Sequence, residues 1–100
     1  MNEMKKLEEI FPDPSDVKIA VATIQMLSGE RLKRRDEIVG DLTSRARELG
    51  FPKNTARKHY EEIIAELRKQ DYLIYDQARE DPPMRATANG KNFLKDEYGV

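Results

Sequence analysis

The sequence predicts a mostly helical α+β fold in a single small domain, and three observations carry that reading. Three stretches repeat apolar residues at helical spacing, and each is bounded by a proline, a glycine or a capping residue. The period then changes at Tyr72-Leu73-Ile74-Tyr75, an aromatic and β-branched run that signals a strand. The length is 100 residues, 38% of them hydrophobic and 37% charged, which suits one modest core and excludes a disordered chain.

Each element follows from local signals. In residues 1–12, Met4, Leu7, Ile10 and Phe11 sit at spacings of three and four, so this segment is expected to form a short helix or a dimer contact. The domain proper is expected over 13–100. Asp13 is a good N-cap, Pro14 suits the first helical position, and Asp16 falls in the first turn. A first long helix therefore runs to about Ser28 on the stripe Val17, Ala20, Val21, Ile24 and Leu27, with Gly29 as its left-handed stop. The basic run Glu30 to Arg35 connects it to a second helix, capped by Asp36. That helix faces inward with Ile38, Val39, Leu42, Ala46 and Leu49, and closes on Gly50 with Pro52 just beyond. A third helix, about 54–70, opens on the capping residue Asn54 and carries Ala56, Tyr60, Ile63, Ile64 and Leu67 inward. Tyr72–Tyr75 and Met84–Ala88 pair as a hairpin around the Pro-rich loop 76–83. Asn89-Gly90 marks either a turn or the start of a short final helix through Phe93 and Leu94.

Composition removes several functional classes. Without cysteine there is no disulfide scaffold and no thiolate metal site, which suits a reducing cytoplasm. No run approaches the ~20 apolar residues of a membrane span, and residues 1–11 do not resemble a secretion signal. His59 is the lone histidine, so neither a zinc site nor a Ser/His/Asp triad is expected, and His59 reads as an ordinary, partly exposed residue. There is no Gly-rich phosphate loop. An enzyme, a cofactor, a metal and a small-molecule ligand are all unexpected.

Charge is unevenly placed. The net is −1, yet residues 1–30 carry −3, residues 31–58 carry +5 and residues 59–100 carry −3. Screening limits each charge to about 8–10 Å, so the local excess steers a polyanion more than the total does.

The order helix, helix, turn, helix, hairpin, helix is that of a helix-turn-helix followed by a wing. The residues that carry the likeness are Asn54-Thr55-Ala56-Arg57-Lys58, Glu66 to Ile74 and Arg85-Ala86-Thr87-Ala88-Asn89-Gly90-Lys91-Asn92-Phe93-Leu94. Over about 16–95 the chain resembles the winged helix-turn-helix regulators, the broad group that includes MarR-, PadR- and ArsR-like proteins. The resemblance implies three core helices, a two-stranded wing, short terminal helices, and a third helix lying in the major groove of double-stranded DNA. Thr55, Arg57, Lys58 and Glu61 would then read bases. Arg31, Lys33, Arg34, Arg35 and Lys53 would hold phosphates. Arg79 and Arg85 would be the wing cations.

A homodimer acting in transcription regulation is expected, with Met4, Leu7, Ile10, Phe11, Phe93, Leu94 and Tyr98 available as dimer contacts. Three departures stand out. Asp71 occupies a place where the group often has glycine, the wing holds Asp76, Glu80 and Asp81, and Pro82-Pro83 stiffens it. The acidic wing and the overall charge also suit a second reading, a winged-helix adaptor that binds protein without DNA.

Overall fold

The computed structural model describes residues 4–28, 32–76 and 82–99. In chain order these form α1 (Leu7–Ile10), α2 (Pro14–Met26), α3 (Arg35–Leu49), α4 (Arg57–Lys69), β1 (Leu73–Tyr75), β2 (Met84–Ala86) and α5 (Ala88–Tyr98). The architecture is the expected α+β, mostly α: five helices and one two-stranded antiparallel sheet.

The Asp13–Pro14 signal works as read. The Asp13 carboxylate accepts from the Ser15 N–H at 2.8 Å, and Pro14 opens α2. This helix is the centre of the molecule, touching α1, α3, α4, α5 and β2. Ile19, Ala20, Thr23, Ile24 and Leu27 are all buried along it. The Thr23 hydroxyl stays satisfied by donating to the Ile19 carbonyl at 2.8 Å. Gly29, read as the stop of this helix, lies outside the described residues.

Two helix starts differ from the cap residues the sequence offers. Asp36 does not cap α3; it sits in the first turn, and Arg34 is the capping position. The cause is a β-bridge that holds Lys33 extended against Met84, with N–H···O contacts of 3.2 and 2.8 Å. The helix begins as soon as that bridge ends, and Glu37 Oε1 accepts from the Arg34 N–H at 3.1 Å. Likewise Asn54 does not cap the next helix. The turn bonds Thr55 N–H and Thr55 Oγ1 to the Pro52 carbonyl, at 3.4 and 2.7 Å. That delays α4 to Arg57, leaves Ala56 at an N-cap with no side-chain acceptor, and leaves Ala56 exposed rather than inward. Gly50, by contrast, closes α3 as expected, with φ 87° and its N–H donating to the Ala46 carbonyl at 2.9 Å.

Beyond α4 the chain turns on Asp71, which has φ 67°. This left-handed backbone is the geometric content of the glycine often found there in the resembling group. A left-handed L-residue costs about 1–2 kcal/mol, and a carboxylate at a helix C-terminus is disfavoured by the helix dipole. Asp71→Gly is therefore expected to raise stability by about 0.5–1 kcal/mol, after the added freedom of glycine in the unfolded chain is subtracted. A urea midpoint that falls would contradict this.

The sheet pairs Leu73↔Ala86, Ile74↔Arg85 and Tyr75↔Met84. Asn89-Gly90 is not a turn. It lies in the first turn of α5, capped by Thr87, whose Oγ1 accepts from the Gly90 N–H at 2.8 Å. Glycine is needed there because a Cβ would stand 2.8 Å from the Tyr72 carbonyl oxygen and 2.9 Å from Thr87 Oγ1.

No packing boundary falls at Pro12. Leu7 and Phe11 are buried in the same core as α2–α5, with Met4 and Ile10 packed against it. The Tyr72 hydroxyl donates to the Lys5 carbonyl at 2.5 Å, and the Leu7 N–H donates to the Tyr98 hydroxyl at 3.0 Å. Lys6 lies 3.8 Å from Glu97. Leu94 is buried, with Phe93 and Tyr98 packed beside it. The apolar residues expected at a dimer interface thus lie against their own chain. Among the described residues no helix is long and apolar enough to cross a membrane.

Candidate nucleic-acid interface

The inner side of α4 is fixed by Tyr60, Ile63, Ile64 and Leu67, all buried. Phe51, in the turn between α3 and α4, meets Tyr60 edge-on with ring centroids 6.2 Å apart. Because four apolar residues hold one side of the helix, the other side is forced outward. Arg57, Lys58, Glu62, Ala65, Arg68 and Lys69 are exposed there. A helix standing half clear of its domain in this way has the shape a major groove admits.

The sequence-predicted residues divide as follows. Arg57 and Lys58 occupy the first turn of α4, and Glu61 lies half-buried one turn on. Thr55 precedes the helix, half-buried, with its hydroxyl already bonded to Pro52. Lys53 is exposed in the turn, and Arg34 and Arg35 are exposed at the start of α3. Lys33 is half-buried and paired with Asp41 at 2.9 Å. Arg85 projects from the outward side of β2, 3.7 Å from Asp76. Arg31 and Arg79 lie outside the described residues, as do Glu80 and Asp81 of the loop.

Carboxylates intrude on the basic face. The Arg57 guanidinium donates to Asp36, and its Nε lies 3.7 Å from Glu61 Oε2. The same Glu61 oxygen is 4.0 Å from Arg35. These four side chains sum to zero charge across the junction of α3 and α4. The pairs are exposed, so each contributes about 0–1 kcal/mol at most. Arg34, Lys53 and Lys58 have no carboxylate within ion-pair distance among the described residues, and the local positive excess rests with them.

One contact escaped the sequence. His59 Nε2 is 2.6 Å from Asp16 Oδ1, so the first turn of α4 is fastened to the first turn of α2. A shallow cleft of about 250 Å³ opens beside the pair, lined by Asp13, Asp16, Pro52, Thr55, Ala56 and His59 among others. Asp16 and His59 are 43 residues apart, and each reads locally as a first-turn polar residue. Only the packing of α2 on α4 brings them together. Among the described residues no cluster of three or more metal-ligating side chains forms.

The outer side of the hairpin has a different character. Ile74 is exposed on that side (43%), and Leu32, just before the residue that bridges to β2, is also exposed (45%), whereas Tyr75 (36%) shares the face of Leu73 and Met84 and has the Arg68 guanidinium 4.3 Å over its ring. Compared with family models, curated proteins and solved structures, the chain finds no match.

Proposed function

We propose that this chain is a winged helix-turn-helix domain that binds double-stranded DNA in the cytoplasm and regulates transcription, with the outer side of α4 in the major groove. The observation that supports this most directly is the exposed first turn of α4. Arg57 and Lys58 are exposed there, Arg57 against the carboxylates of Asp36 and Glu61, while Tyr60, Ile63, Ile64 and Leu67 lock the opposite side. Arg57 offers a fork that matches guanine N7 and O6. Lys58, Lys53 and Arg34 supply backbone contacts, and those set register without reading sequence. The bridge from Lys33 to Met84 joins the hairpin to the residue before the start of α3, and on this reading the hairpin would serve as the wing with Arg85 as its cation. A second copy of the chain would present two such helices about one DNA turn apart, ~34 Å.

Binding of this kind is salt-dependent, because each neutralised phosphate releases counterions. Three unpaired cations give a slope near −2.7, or about a hundredfold loss of affinity between about 50 and about 300 mM salt. Fluorescence anisotropy with a labelled duplex of random sequence measures it. Binding that is the same at both salts, or none at the lower one, would count against the proposal.

The adaptor reading is favoured by a specific pair of observations: the self-neutralised cluster Arg35, Asp36, Arg57 and Glu61, and the apolar exposure of Leu32 and Ile74. Absence of any duplex binding at low salt is the result that would select it.

A further inference from the structure

The clearest feature that DNA binding alone does not explain is the carboxylate on its own reading helix's arginine. Asp36 comes from α3 and Arg57 from α4, 21 residues apart, and the two meet across the junction of the helices. Glu61 lies 3.7 Å from the Nε of the same guanidinium. The side chain of Asp36 is 72% exposed and that of Arg57 54%. Ion pairs this wet add little to folding, so stability does not account for the arrangement. Its consequence is for what Arg57 is free to bind.

Resting on the DNA reading above, we propose that Asp36 is a specificity-determining residue: its carboxylate occupies Arg57 and penalises phosphate more than it penalises a base edge. A phosphate approaching Arg57 replaces one anionic oxygen by another, so little attraction is gained. It also brings a negative charge beside Asp36, which stays at the mouth of the site. Guanine N7 and O6 are neutral acceptors, and they add two directed hydrogen bonds without repelling the carboxylate. The wrong partner is therefore penalised while the right one is not, which is how a binder widens the gap between the two. Glu61 contributes the same sign of charge, but it is shared with Arg35 and its side chain is only 31% exposed. Asp36 is the more accessible of the two and acts on Arg57 from the side open to solvent.

The test compares wild type with Asp36→Asn, which keeps shape and removes charge. With a labelled random-sequence duplex at low salt, the variant should bind about three- to tenfold more tightly, and its salt slope should steepen by about 0.9, the value of one added phosphate contact. Enrichment from a randomised duplex pool should lose base preference at one position. On the Arg57→Ala background the same Asp36→Asn change should gain no more than about twofold, since coupled residues show their interaction only when both are present. An equal gain on both backgrounds would reduce Asp36 to bulk charge and overturn the proposal. Wild type binding while Asp36→Asn binds no better sinks the role of Asp36 and leaves the DNA reading intact; failure of both proteins to bind any duplex sinks the two together. Far-ultraviolet circular dichroism of each variant establishes that the fold is unchanged.

Discussion

Replacing Tyr72 by alanine should cost about 3–5 kcal/mol of folding stability, the range for truncating a buried aromatic. The side chain is fully buried and meets Phe93 of α5 edge-on, with centroids 5.9 Å apart. Its hydroxyl donates to the Lys5 carbonyl, its N–H donates to the Leu67 carbonyl at 2.9 Å, and its carbonyl accepts from Thr87 at 3.0 Å. One residue thus joins the end of α4, the start of α5 and the N-terminal segment. Tyr72→Phe keeps the ring and loses the hydroxyl, so it should cost only about 1 kcal/mol. Urea unfolding followed by circular dichroism separates the two. A loss below about 1 kcal/mol for the alanine variant would mean that the joint does not hold the segment down.

The same joint should weaken in alkali. Burial, and then the nearby Tyr98 and glutamates, push the Tyr72 hydroxyl well above its ordinary value. Burial, and then the hydrogen bond to Glu8, raise Tyr98 to about 12. Both groups are held neutral by the folded state. Their contribution is complete below about pH 10, where the unfolded tyrosine would ionise, and is lost as pH rises through about 12. Urea midpoints should therefore begin to fall above pH 10, and less so for Tyr72→Phe.

The sequence disclosed what short-range chemistry decides. Asp13 and Pro14 open α2 because an acceptor side chain and a fixed φ need no tertiary help. Gly50 closes α3 for the same reason, and the change from helical spacing to Tyr72–Tyr75 marks the sheet. Asp71, a departure from the glycine often found in the resembling group, nevertheless has left-handed backbone, filled by a residue that tolerates it. The cap positions were misread where long-range bonds compete with local ones. The bridge from Lys33 to Met84 overrules Asp36, and the turn at Pro52 engages Thr55 before Asn54 can act. Spacing identified Leu7, Ile10 and Phe11 as one apolar side but not what covers it, because a stripe buried against its own chain and one buried against a second copy have the same pattern.

The candidate site was legible as a list of cations but not as an arrangement. Arg57 and Lys58 are exposed on the polar side of α4, Lys53 in the turn before it, and Arg34 at the start of α3. Which of them is free is a question of partners 4 to 26 residues away, and periodicity encodes only the nearest of these. The pairing of Arg57 with Asp36 appears only once α3 and α4 are docked, and that of Lys33 with Asp41 once Lys33 is held against β2, whereas Glu61 lies at i+4 from Arg57 on the same helix and is within reach of spacing alone.

On the DNA-binding proposal, Arg57→Ala should weaken binding to a selected duplex site by about 1–3 kcal/mol, about five- to 160-fold, and relax the choice of base at one position. Lys58→Ala should differ in kind. A single ammonium contacts phosphate as a point charge, so its loss should weaken all sequences alike and flatten the salt slope by about 0.9. The difference follows from geometry: a planar guanidinium matches two acceptors on one base edge, whereas an ammonium has no such preference. Neither change should alter the unfolding free energy from urea titration by more than about 0.5 kcal/mol, because both side chains are exposed and the Arg57 pairs are wet. A site selected from a randomised pool, followed by footprinting with each variant, gives the answer. An unchanged base preference with Arg57→Ala would move that residue from the base edge to the backbone, and the major-groove role proposed for α4 would then have to rest on Lys58 alone, which has no fork with which to read a sequence.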